Sequence, residues 1–324
     1  MIEVLLCSRN GERYIREQAE SILAPEGPEL RLRVSDDCST DGTIGIVREL
    51  AEHFPGRVSF VRRSEPTGGA ARHFLTALRE TDLSEARYVM LSDQDDVWHP
   101  DKAGKTLSAM LEAEKTCGSD TPLLVHCDMR VVDEALGEIA PSYARYQKMS
   151  PERTKLCQLL VQNNVTGGAL MANTALLKLV KEKPVPEHAL MHDHWLALIA
   201  AAFGRIVYID EALYDYRQHG ANVLGAEKGG MLREVLGRLG LFRKDGLTKA
   251  DMDERSGRVY AALFSQAAEF GKLYRDELSE KDLGTLQAFL RLRLQSRPVK
   301  IFNILRYGFT FNRLHRTAGE CLFL

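Results

Sequence analysis

Tyr88-Val89-Met90-Leu91-Ser92-Asp93-Gln94-Asp95-Asp96-Val97-Trp98 decides how the chain is read. The apolar run gives a buried strand, and the acids follow it directly. Carboxylates at i and i+2, just past a strand end, can approach a hard divalent cation together. Mg²⁺ or Mn²⁺ prefers oxygen ligands and completes its shell with substrate phosphates. A cation bridging a diphosphate neutralises charge that grows as a sugar–phosphate bond breaks. The bland alternative, a solvated acidic turn, is weakened by Trp98 and Pro100 closing the segment.

Upstream, three β-α units lead into this strand. Met1–Leu6 is apolar and ends at Cys7-Ser8-Arg9-Asn10-Gly11, and Ile15, Ala19, Ile22 and Leu23 then fall at helical spacing. Leu30, Leu32 and Val34 alternate as a second strand that stops at Asp36-Asp37. Ser39 or Thr40 is placed to cap the next helix, with Asp41 in its first turn. Val58–Val61 reads as a third strand and Ala70–Leu78 as a third helix. Such an order implies a largely parallel sheet flanked by helices, with ligands beyond the carboxyl ends of the strands. Ser8/Asn10, Asp36/Asp37 and Asp93/Asp95/Asp96 are therefore expected on one sheet edge.

Downstream, a helix starts near Pro100, and Leu123–Cys127 is a strand ending in Asp128. A helix is expected near Pro151–Val161, followed by the turn-rich Asn163-Asn164-Val165-Thr166-Gly167-Gly168 and a strand Ala169–Ala172. His192–Ala202 reads as a helix and Ile206–Ile209 as a strand. Beyond about Gly225 the pattern is purely helical, so a catalytic α/β domain is expected over 1–225 and a helical region over 226–324.

Hydrophobic residues make up 44% and charged residues 27%, as in an ordinary soluble protein. No run approaches a membrane span. The N-terminus lacks a signal-peptide pattern, so a cytoplasmic location is expected. The six cysteines form no Cys-x-x-Cys pair, which argues against a zinc ribbon or a disulfide framework. Cys321-Leu322-Phe323-Leu324 formally matches a prenylation box, a four-residue pattern loose enough to arise by chance. Net charge is −2, yet Leu283–Gly319 holds seven basic residues and no acid. No nucleic-acid partner is expected.

Further candidates carry chemistry. The first turn lacks Gly-x-Gly-x-x-Gly, and no Walker motif exists, so nucleotide recognition falls to side chains. Asp36 could accept from the imide N–H of uracil or thymine, or it could be a turn aspartate. Asp193, in Met191-His192-Asp193-His194-Trp195, could serve as general base or merely complement a helix N-terminus. His219, in Tyr216-Arg217-Gln218-His219-Gly220, is read as a metal ligand, a phosphate contact or a structural histidine. Gly167-Gly168 would let backbone approach a sugar or acceptor, or is a plain strand-entry turn.

In this order the segments Cys7–Gly11, Ser35–Thr43, Ser92–Trp98 and Met191–Trp195 resemble glycosyltransferase family 2 with its GT-A fold, over roughly Met1–Gly225. Tyr216–Val223 resembles the bacterial rhamnosyltransferase-like branch. The resemblance implies that Asp36 binds the base, with Ser8 and Asn10 beside the nucleotide. It also implies that Asp93 and Asp95 contact ribose and metal, and that Asp193 is the base of an inverting transfer. Asp96 adjoins this set. It further implies a nucleotide-diphosphate sugar donor, with dTDP-rhamnose as the guess, and a glycan acceptor that many relatives carry on a lipid. Arg9, where many relatives have Tyr, and Cys38, where Gly is usual, depart from the pattern.

Two rival readings remain at this level. Asp93-Gln94-Asp95-Asp96-Val97 also fits a haloacid-dehalogenase-type phosphohydrolase, although that family carries its motif on the first strand. A non-catalytic sugar-nucleotide-binding protein is the other. In the C-terminal region Met252, Val259, Leu263, Ala267, Phe270 and Tyr274 form one apolar stripe, and Leu283, Leu286, Leu290 and Leu294 another. Both most simply pack internally. The aromatic and basic stretch from Lys300 to Arg316 also suits the inner face of an anionic membrane.

Overall fold

The computed structural model of the chain describes residues 1–24, 27–219, 249–312 and 317. Its contacts divide into two compact units, Met1–Arg145 with Val165–Gly225, and Tyr146–Asn164 with Ala226–Leu324. The boundary expected at Gly225, residues 220–223 of the closing motif and Cys321–Leu324 lie outside the described residues.

In the first unit β1 (Ile2–Ser8), β2 (Leu30–Asp36), β3 (Val58–Arg62) and β4 (Tyr88–Ser92) alternate with α1 (Ile15–Leu23), α2 (Thr43–His53) and α3 (Ala70–Arg79). Then come β5 (Val97–Trp98), α4 (Lys102–Cys117), β6 (Leu123–Val132), β7 (Glu138–Ala140) and α5 (Tyr143–Gln147). After α6 (Leu156–Leu159) follow β8 (Leu170–Asn173), α7 (Thr174–Glu182), α8 (His192–Phe203) and β9 (Arg205–Arg217). The sheet order is β3-β2-β1-β4-β8-β6-β9-β5, with β7 paired to β6.

The first four strands are parallel because each returns through a helix. β8 runs antiparallel to β4 and β6, which makes the whole sheet mixed. Val4, Leu6, Leu32, Val34, Met90, Val125 and Met171 share one buried cluster, and each such side chain contributes about 1.5–3 kcal/mol on burial. Register then fixes the functional edge. Ser8 pairs with Asp36, and Leu6 pairs with both Val34 and Ser92, so Asp93 emerges just past the rim.

Two local expectations are corrected. Helix α2 begins at Thr43, whose N–H bonds Asp41 Oδ1 at 3.1 Å, because Ser39 and Thr40 are engaged elsewhere. Between Pro151 and Val161 only Leu156–Leu159 is helical, and 150–154 is held by short turns instead.

The second unit contains α6, α9 (Lys249–Tyr274), α10 (Glu280–Arg291) and α11 (Arg297–Tyr307). Leu263, Ala267, Phe270, Tyr274, Leu286, Phe289, Ile304 and Phe309 are buried, whereas Val259 and Leu294, expected in the same stripes, are exposed. The Phe289 ring lies tilted against Phe264 at 4.9 Å and meets Phe309 edge-on at 5.3 Å. Segment 146–164, read from sequence as part of 1–225, groups here through side-chain bonds. Arg153 donates to the Thr310 carbonyl at 2.7 Å, and Asn312 N–H to Gln162 at 3.0 Å. No helix among the described residues is long and apolar enough to cross a membrane.

Candidate active site

The loops after β1, β2 and β4 are bound into one surface. Asn10 takes a left-handed φ of 51°, so its N–H reaches Ser39 Oγ at 2.8 Å and its Oδ1 accepts from Thr40 N–H at 2.9 Å. Gln94 accepts from Arg9 N–H at 2.9 Å and donates to the Arg9 carbonyl at 3.2 Å. A Cβ on Gly11 would overlap Gln94 Oε1, so a larger residue here would push Gln94 off Arg9. Cys38 sits at φ 61°, in the left-handed region that glycine occupies most cheaply.

Asp36 is fully buried, and its oxygens accept from Ser8 Oγ at 3.2 Å, Ser39 N–H at 3.0 Å and Ser39 Oγ. In this geometry its carboxylate is spent on the loop itself. Its neighbour Asp37 is likewise buried and accepts from Thr67 N–H at 2.8 Å and Thr67 Oγ1 at 3.0 Å.

The acidic turn is crowded with like charge. Burial, then Asp95 and Asp193, push the Asp93 carboxyl up to about 7. Asp96 is buried and lifted well above the carboxylate range by desolvation, then by Asp95 and Asp93. Such groups bind a proton or a cation readily. Asp95 Oδ2 lies 2.7 Å from His219 Nε2, and the imidazole stacks on Tyr14 at 5.1 Å. Arg217 closes the turn from the end of β9. Its N–H donates to Asp96 Oδ1 at 3.1 Å, its Nε to the Asp95 carbonyl at 2.8 Å, and its Nη1 to the Glu134 carbonyl at 2.7 Å.

Asp193 lies in the first turn of α8, nearly buried. It accepts from Gly167 N–H at 3.0 Å and from His194 N–H at 2.6 Å. The same loop reaches the acids, because a Cβ on Gly168 would sit 3.3 Å from Asp93 Oδ2, from Asp96 Oδ2 and from Tyr214 Oη. His192, stacked on Phe74 at 4.0 Å, fills the space where a Gly167 side chain would be. Burial holds that imidazole neutral by lowering its pKa to about 3.

Asp93, Asp96, Gly167, Gly168 and Asp193 are thus brought together, as are Asp95 with His219 and Ser8 with Asp36. Sequence reasoning did not single out Arg217, Gln94 or Lys102. Arg217 stood inside the quoted closing motif, and Gln94 between the two acids, so the signal was present without a reason to choose them. Among the described residues no three His, Cys, Asp or Glu side chains could hold a metal ion by themselves. The oxygen-rich, charge-crowded donor set of Asp95, its acidic neighbours and His219 fits a hard cation that takes its remaining ligands from outside the protein.

A family model described as Glycosyl transferase family 2 matches residues 3–169, a little over half of the chain. The dTDP-rhamnosyl transferase RfbG of Shigella flexneri is 26% identical over 285 residues, covering 83% of this chain and 94% of RfbG. The crystal structure of S. aureus TarS 1–349 aligns with a TM-score of 0.53 at 18% identity, covering 91% of both chains. TarS 1–349 in complex with UDP-GlcNAc aligns with a TM-score of 0.52 at 17% identity, covering 95% of this chain and 92% of that one.

Proposed function

Because the chain belongs to glycosyltransferase family 2 and has the GT-A fold, we propose that it moves a sugar from a nucleoside diphosphate to a glycan hydroxyl with inversion at the anomeric carbon. The observation that carries this reading is the shared loop. Gly167 orients Asp193 while Gly168 packs on Asp93 and Asp96, so an oriented base and an acid cluster belong to one construction. The haloacid-dehalogenase alternative is disfavoured, since the acidic motif follows the fourth strand.

In the proposed reaction Asp193 takes the proton of the attacking hydroxyl, whose oxygen bonds to C1 as the bond from C1 to the diphosphate breaks. Two backbone N–H donors hold this carboxylate, so it need not reorganise as the proton arrives. Asp95 and His219 would hold Mg²⁺ or Mn²⁺ with substrate oxygens, and the ion supplies positive charge toward the leaving diphosphate. Ser8, Asn10 and Asp36 shape the nucleotide wall, with Asp93 on the ribose side. Gly167, Gly168 and Asp96 border the sugar and acceptor. The name of the Shigella relative supports rhamnose carried on dTDP as the donor, and with a glycan acceptor the setting is synthesis of a cell-surface polysaccharide. The test is a panel of nucleotide sugars with Mn²⁺, read as released nucleoside diphosphate. dTDP-rhamnose should turn over fastest, and inertness toward every donor, with and without glycan acceptors, would sink the reading.

The second unit supports a peripheral contact with the inner face of the cell membrane. Leu294, Val299, Phe302 and Leu305 are 80%, 47%, 59% and 63% exposed, and Arg293, Arg297 and Arg306 are exposed alongside them. The opposite side of α11 buries Lys300 and Ile304. Each cation near an anionic surface is worth about 1 kcal/mol, and the apolar side chains add burial. The protein should therefore co-sediment with anionic vesicles at low salt, and weakly with neutral ones. Phe302→Glu with Leu305→Glu should abolish this binding while the fold persists. Equal partitioning of both proteins, or indifference to lipid charge, would leave α11 an ordinary surface helix.

A further inference from the structure

Lys102 opens α4 four residues after Trp98, where a lysine would ordinarily reach water. Instead it is fully buried. Its Nζ donates to the Gly168 carbonyl at 2.5 Å and stands 3.7 Å from the Trp98 ring centroid and 4.0 Å from that of Tyr214. Two aromatic faces and one carbonyl are a weak substitute for water around an ammonium, and a buried charge persists only where opposite charge is near. That charge is the acid cluster, because the glycine that accepts from Lys102 also lies against Asp93 and Asp96. The next residue back, Gly167, holds Asp193 at 3.0 Å.

We propose that Lys102 is the built-in counter-charge of the acidic cluster and the positioning residue that seats the Gly167-Gly168 loop between that cluster and Asp193. Its purpose rests on the transfer reaction proposed above; its existence does not. A fixed cation behind the Gly167-Gly168 loop offsets part of the negative charge the cluster presents, and so weakens the field that a divalent ion then meets. The balance is close. Burial lowers the Lys102 pKa to about 8 even though Cys127, Asp96 and Asp93 act in the opposite sense.

The test is a stability cycle that needs no sugar donor. Lys102→Met, Asp96→Asn and the double variant are unfolded thermally, metal-free and with Mn²⁺. Lys102→Met should lower the metal-free midpoint by roughly 5–10 °C, since it leaves buried carboxylates uncompensated. Asp96→Asn should return at least half of that loss, and Mn²⁺ should raise the midpoint of Lys102→Met more than that of the wild type. Additive single effects, or a Mn²⁺ shift no larger than in the wild type, would reduce Lys102 to packing. If Mn²⁺ moves neither protein, the metal reading fails and the metal-free coupling alone decides. If Lys102→Met cannot be obtained folded, a folded double variant supports the proposal and an unfolded one overturns it.

Discussion

Asp193→Asn is expected to cut turnover by roughly 10²–10⁴-fold while donor binding barely changes. The carboxylate accepts from two backbone N–H groups, those of Gly167 and His194. An asparagine has one carbonyl oxygen, so it satisfies one of them and turns its own N–H₂ toward the other. It keeps the size of the side chain and loses the ability to take a proton. Steady-state kinetics should therefore show the loss in kcat, with KM for the donor nearly constant. Turnover near the wild-type value would remove Asp193 from the mechanism.

Asp95→Ala, and excess chelator on the wild type, should each abolish transfer, and neither should unfold the protein. Asp95 contributes to the fold mainly through its backbone, whose carbonyl receives Arg217 Nε at 2.8 Å and is untouched by the substitution. Its carboxylate raises the pKa of both Asp93 and Asp96, so its removal relieves repulsion within the turn. The metal-free melting midpoint is expected to stay level or rise as activity disappears. Full activity in chelator would contradict the assignment of the acidic turn to a divalent ion.

Much of this site was legible in sequence because it is built from strand ends. Alternation and burial place Ser8, Asp36 and Asp93 at the rim of neighbouring parallel strands, and a parallel sheet has only one such rim. Asp193 was legible for a related reason, since a helix start orients its first acid. What sequence did not carry was closure over long separations. Arg217 meets the acidic turn across 121 and 122 positions, and Gln94 meets Arg9 across 85. Lys102 is the sharpest case, because no local pattern distinguishes a lysine at a helix start in water from one sealed between Trp98 and Tyr214. The helical cap was misplaced for the opposite reason. Ser39 is a good local cap, yet Asn10 and Asp36 compete for its hydroxyl and win.

The proposed reaction is a single displacement at C1 with Asp193 as the base. Proton NMR of the product formed from donor, acceptor and Mn²⁺ tests it most directly. A new glycosidic linkage should appear with the anomeric configuration opposite to that of the donor, in step with an equal amount of nucleoside diphosphate. Retained configuration, or release of nucleoside monophosphate with sugar phosphate, would contradict it.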